Sequence, residues 1–203
     1  MPVSRNAIDR NRFLNVQLPY QLRASDFDAA MQDVYDFLFD VNSNLVDRGL
    51  SRLDDMLRPA ALSGLLSDML TESLARHSRS LTQNTYFNGH PDLVVRGIYP
   101  DDSVRSGDQG VEVKSTRRRG GAVDTHGARD QWMSVFVYTV DNATEPAVDR
   151  QPLTFTEVYV ASVTTDDFRR NERGELGTRT ATLHADGLKK LRSGLLYRAQ
   201  GSS

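Results

Sequence analysis

Two carboxylates and an ammonium lie close together in the middle of this chain. They fall in His90-Pro91-Asp92-Leu93-Val94-Val95 and in Gly110-Val111-Glu112-Val113-Lys114-Ser115. Each half is a short run rich in β-branched residues, and a turn region rich in Asp, Ser, Gly and Pro (Tyr99 to Gln109) separates them. Paired as an antiparallel hairpin, the two runs would bring Asp92 near Glu112 and Lys114. Side chains alternate across a strand with a period of two. Glu112 and Lys114 would then share one face, with Val111, Val113 and Ser115 on the other. Two acids and a lysine held on strands can bind a divalent ion and direct an attacking water, which is chemistry suited to phosphodiester hydrolysis. The same residues would also serve as a plain cross-strand ion pair, worth about 0–1 kcal/mol when exposed.

Pro91-Asp92 followed by Glu112-Val113-Lys114 resembles the motif of the PD-(D/E)xK nuclease superfamily, which includes many type II restriction endonucleases and recombination nucleases. The surrounding layout extends the likeness over roughly residues 58 to 165: a long helix, a hairpin, then further apolar strands. The resemblance implies a restriction-endonuclease-like core. It also implies a metal held by Asp92, Glu112 and the Val113 carbonyl, which a strand edge would present, with Mg2+ as the ion and Mn2+ able to replace it. It further implies an extra acid from the preceding helix, for which Glu72 is the candidate; Asp68 and His77 lie on the same helix. Lys114, beside two carboxylates, is expected to stay protonated. Its expected role is to contact the scissile phosphate or orient the water. Exonucleases of the superfamily often carry Gln-x-x-x-Tyr on a helix after the lysine. Here Gln131 is followed four residues later by Val135, so that element is missing.

The elements that must hold these residues are legible from periodicity. Ser25-Asp26 can cap a helix running to about Arg48, with Gly49 as its stop. Ala30, Val34, Phe37, Leu38, Val41 and Leu45 mark its apolar face. A second helix is expected from Pro59 to Ser78, buried along Leu62, Leu65, Leu66, Met69, Leu70 and Leu74. Trp132 to Val140 and Phe155 to Thr164 read as strands, although Gln131-Trp132-Met133 could instead close a short helix beginning near Thr125. Thr178 to Leu183 is strand-like, Ala185 to Arg192 a short helix and Gly194 to Arg198 a last strand. A strand is also expected near Phe13 to Leu18, and a disordered tail over Gly201 to Ser203. This order gives an α/β or α+β class: a central mixed sheet flanked by helices. The expected division is an N-terminal helical region (1–57) packed on a core (58–200).

Charge is unevenly placed. Residues 26 to 56 hold eight Asp against Arg48 and Arg52, for a local charge of −6, in a chain whose net charge is only −2. The acidic helix face is expected to be solvated, or else, away from the cleft, to repel DNA or to contact a partner. Just beyond the carboxylates come Arg117, Arg118 and Arg119 before Gly120-Gly121, a stretch able to approach phosphates or guanine edges. Arg129 and Gln131 are further candidates for DNA contact. His126 has no companion at metal-ligand spacing in the sequence, which argues against zinc.

No run is apolar enough for a membrane span, and the N-terminus lacks the apolar region of a signal peptide. The absence of cysteine excludes a disulfide scaffold and fits a cytoplasmic protein. The expectation is therefore a Mg2+-dependent endonuclease acting on double-stranded DNA, of restriction type and most simply a homodimer. The alternatives are a repair or recombination nuclease, and a non-catalytic DNA-binding protein.

Overall fold

A computed structural model describes residues 3–170 and 180–201. Helix α1 (Ala24–Asp47) is followed by a single turn, α2 (Leu53–Met56), and by α3 (Pro59–His77). Then come β1 (Leu81–Gln83), β2 (Leu93–Val95), β3 (Gly110–Thr116), β4 (Asp124–Thr125), β5 (Gln131–Thr139), β6 (Thr154–Val163), β7 (Phe168–Arg170) and β8 (Ala181–Leu183). Helix α4 (Ala185–Ser193) and strand β9 (Leu195–Arg198) complete the fold. Six strands form a mixed sheet in the order β1-β2-β3-β5-β6-β9, in which only β3 and β5 run parallel. A small antiparallel sheet, β4-β8-β7, stands beside it. The expected class, a central mixed sheet with helices against it, is the one found.

The two faces of the large sheet have different covers. On one, Val111 and Val113 of β3 and Phe136 and Tyr138 of β5 meet Phe27, Ala30, Met31 and Val34 of α1 and the Leu62-Leu66-Leu70-Leu74 stripe of α3. On the other, Met133, Val135 and Val137 of β5 pack with Tyr159, Ala161 and Val163 of β6, Leu191 of α4 and the small sheet. Both stripes follow from helical spacing. The stripe on α1 is shifted from the expected one, because Phe37 is partly exposed while Phe27, Met31 and Tyr35 are buried.

Several expectations need correction. Asp26 lies inside α1 rather than at its cap: it is the third helical residue and accepts from the Arg23 N–H at 2.9 Å. The segment at Phe13 to Leu18 is not a strand. It makes one bridge, Phe13 to Tyr197, and one bond from the Leu14 N–H to the Leu196 carbonyl, enough to cover part of the β9 edge. Gln131 and Met133 belong to β5 and not to a helix, since pairing with both β3 and β6 overrides a weak local preference. Residues 178 and 179 of the expected strand, and 202 and 203 of the expected tail, lie outside the described residues. The acidic face of α1 is paired rather than merely solvated: Asp28 meets Arg10 at 2.7 Å, Asp36 meets Arg5 at 2.9 Å, and Asp33 meets Arg76 and His77 of α3.

Candidate active site

The site arises where β2 and β3 part. Their ladder pairs Val94 with Gly110 and Leu93 with Val111. Gly110 is required at the near end, because a Cβ there would fall 1.9 Å from the Leu93 carbonyl oxygen. Continuing this register by one residue sets Asp92 opposite Glu112, but Asp92 is already outside β2 and the strands separate there. The edge of β3 is then left open, and side chains take over its N–H groups. Asp92 Oδ2 accepts from the Val113 N–H at 2.8 Å, and Ser67 Oγ of α3 accepts from the Ser115 N–H at 3.0 Å. The Ser115 hydroxyl in turn donates to the Ser63 carbonyl at 2.8 Å. Because the Val113 N–H faces the fork, its carbonyl faces the same open edge.

Into this fork project Asp92, Glu112 and Lys114. Lys114 Nζ is 2.6 Å from Glu112 Oε1 and 3.4 Å from Asp92 Oδ2. Glu112 is 1% exposed, and its Oε1, 2.6 Å from the Lys114 ammonium, has no other donor among the described residues. A buried carboxylate oxygen in that state keeps a lone pair available to a cation. Burial opposes ionisation of Glu112, yet His90 and Lys114 draw its carboxyl down to about 2. Asp92 moves the other way: burial and the Glu112 charge raise it, outweighing Lys114 and the Val113 N–H. Burial alone would lower Lys114, but the two carboxylates outweigh it and raise the ammonium. One carboxylate is thus firmly charged and the second is held back by burial and by its neighbour, an arrangement that added positive charge would relieve.

One participant was not singled out from the sequence. His90 Nδ1 lies 3.2 Å from Glu112 Oε2. One ligand atom from each of His90, Asp92 and Glu112 lies within 4.8 Å of the other two, so the set is of a donor type that could hold a divalent ion. The segment before Gly107 anchors His90: its N–H donates to the Arg105 carbonyl at 3.1 Å, and its carbonyl accepts from the Gly107 N–H at 2.8 Å. The signal available in the sequence was the His-x-Asp spacing, which can set both side chains on one side of an extended segment. His126, isolated in sequence, is not isolated in space, for its ring centroid is 6.3 Å from that of His90.

Other expected residues lie elsewhere. Glu72 is exposed and lines a groove with Asp33, Phe37, Met69, Ser73 and Arg76. The α3 residues that hydrogen-bond to the open edge of β3 are Ser63 and Ser67. Glu72 lies five positions beyond Ser67, about 140° round the helix, so it is not brought into the cluster. Arg117 donates to the Val140 carbonyl at 2.9 Å and to Asn142 Oδ1 at 2.7 Å, which ties the end of β3 to the loop after β5. Arg118 and Arg119 are exposed. Arg118 lines a cleft of about 300 Å³ with Lys114, Arg117, Ser63, Pro59 and Asp124. Arg129 is half-buried. Gln131 is only 7% exposed and its Nε2 has no partner among the described residues. It lies two residues before Met133, which pairs with Glu112, and therefore shares the Glu112 face. The structure thus moves Gln131 from the surface to the buried floor beside the site.

Comparison of the chain with protein-family models gives no match, and comparison with curated proteins gives none.

Proposed function

We propose that this chain is a divalent-metal-dependent deoxyribonuclease that hydrolyses phosphodiester bonds in duplex DNA as a restriction-type endonuclease. The observation that carries the reading is the convergence of Asp92, Glu112 and Lys114 at a strand fork, with a buried Glu112 oxygen that faces the Lys114 ammonium and no other donor among the described residues. The resemblance of Pro91-Asp92 and Glu112-Val113-Lys114 to the PD-(D/E)xK motif supports the same reading.

Asp92, Glu112 and the Val113 carbonyl would hold the ion, Mg2+ or Mn2+. When bound, it supplies positive charge to the phosphate and lowers the pKa of its waters. Lys114 stays an ammonium and contributes electrostatically, by contacting a non-bridging phosphate oxygen or by orienting the water. It lines the 300 Å³ cleft together with Arg118, so a phosphate lying in that cleft reaches both cations. Arg119 and Arg129 are the further candidates for backbone contact. Arg117, already bonded to Val140 and Asn142, contributes charge rather than a free fork. Cutting both strands calls for two sites, hence a homodimer, and the cysteine-free chain suits a cytoplasmic setting. Among the described residues no helix is long and apolar enough to cross a membrane.

The test is incubation with long circular unmethylated duplex and Mg2+ or Mn2+, beside Asp92→Ala. Discrete fragments support restriction. A smear indicates an exonuclease, and cutting confined to four-way junctions a resolvase. A wild-type protein that cuts no DNA, or an Asp92→Ala variant that cuts as well as wild type, overturns the reading.

A further inference from the structure

The imidazole of His90 is already in the position of a metal ligand. Two donors bound at right angles on one ion, each at about 2.1 Å, are about 3.0 Å apart. His90 Nδ1 and Glu112 Oε2 are 3.2 Å apart. Donors on opposite sides of such an ion are separated by about 4.2 Å, and one ligand atom from each of His90, Asp92 and Glu112 lies within 4.8 Å of the other two. The His90–Glu112 pair is therefore within a few tenths of an ångström of the spacing that shared ligation needs. The members of the cluster are held from behind: Glu112 is buried within β3, Asp92 is held by the Val113 N–H, and His90 by the backbone of Arg105 and Gly107. Lys114, which occupies the position nearest Glu112 Oε1, has somewhere to go, since it also borders the cleft lined by Ser63 and Arg118.

We propose that His90 is a third side-chain ligand of the metal, and that it makes this site select first-row transition ions, Mn2+ and Co2+, over Mg2+. The inference rests on the metal-site part of the reading above and does not require that DNA be cut. Magnesium is a hard ion that prefers oxygen and keeps its waters. A neutral imidazole is a nitrogen donor that suits the transition series. Ligation calls for the tautomer carrying its hydrogen on Nε2, so that the Nδ1 hydrogen bond to Glu112 Oε2 gives way to an ion shared between the two atoms. A role for His90 confined to hydrogen bonding would orient Glu112 for any ion alike. Direct ligation distinguishes ions by their affinity for nitrogen.

The experiment uses the full chain without DNA. Mn2+-loaded wild type is examined by electron spin-echo envelope modulation, and Mg2+ and Co2+ affinities are measured by calorimetry for wild type, His90→Gln and His126→Ala. The expected result is a directly bound nitrogen in wild type, lost in His90→Gln and kept in His126→Ala. Co2+ affinity should fall by about tenfold or more in His90→Gln, within the span that loss of metal-site partners produces, while Mg2+ affinity falls by about threefold or less. No bound nitrogen in wild type, a nitrogen lost only in His126→Ala, or equal losses for both ions in His90→Gln overturns the proposal. The wild-type spectrum decides even if His90→Gln fails to fold. A nitrogen-bound ion in a protein that cuts no DNA sustains this inference and removes the nuclease reading.

Discussion

Lys114 lies between two acids of unequal state, and its removal exposes their mutual repulsion. In Lys114→Met the stem is kept and the charge is lost, leaving Asp92 and the buried Glu112 facing one another without a cation. Cleavage is expected to fall by about 10²-fold or more, the usual scale for losing an electrostatic group aimed at developing charge. The melting temperature should fall as well, and Mn2+ should recover more of it than in wild type, because the ion replaces the missing positive charge. Parallel melts with and without Mn2+ check this; a variant that cuts normally contradicts the assigned role. Glu72 carries the opposite expectation. Exposed and turned away from Ser67 on α3, it should tolerate Glu72→Gln with cleavage within about twofold of wild type and stability within about 0.5 kcal/mol.

At the scale of elements, α3 both carries the core stripe and closes the open edge of β3. Ser67→Val removes the acceptor for the Ser115 N–H, and Ser115 is buried. An unsatisfied buried amide costs about 1–3 kcal/mol, so chemical denaturation should show a loss of that size. The α1–α3 contact adds a pH-dependent contribution. Burial opposes ionisation of Asp33, but bonds from Ser73, His77 and Arg76 outweigh it and hold its carboxyl below the ordinary range. A depressed folded-state pKa gives stability that is fully present above the unfolded value near 3.9 and is lost as pH falls through the lower folded value. Thermal melts between about pH 6 and pH 2 should therefore decline less steeply in Asp33→Asn than in wild type. Identical slopes would mean that these bonds add nothing in solution.

Across the whole molecule, one buried polar network joins segments far apart in sequence. Arg52 is 0% exposed. It pairs with Asp54 at 3.3 Å and donates to the carbonyls of Arg150 and Gln151. Asp54 also accepts from Asn42 of α1 at 2.9 Å and from the Leu153 N–H at 3.0 Å. The N-terminal helices are thereby fastened to the chain entering β6, beside the apolar cluster that α1 shares with the sheet. Removing one partner of a buried pair leaves the other uncompensated, so Asp54→Ala should cost about 3–5 kcal/mol. The site lies on other elements, so the cleavage that remains at low temperature should keep its metal dependence. Calorimetry and low-temperature assays together check both halves.

The sequence by itself determined the mixed-sheet class, both long helices, the central strands, and the alternation that puts Glu112 and Lys114 on one face of β3. These follow from local spacing, because periods of two and 3.6 residues are written in adjacent residues. Only the tertiary structure decided which residues meet. Helical phase separates Glu72 from the site, although the residue lies only twenty positions before Asp92. The loop fold brings His126 beside His90. Pairing of β5 with β6, Gln131 opposite Val163, sinks Gln131 into the floor, and Arg117 turns to the loop after β5. The parting of β2 from β3 has no local signal either, yet it opens the edge where Asp92 reaches Val113. Each of these depends on contacts between elements whose relative placement no short stretch of residues encodes.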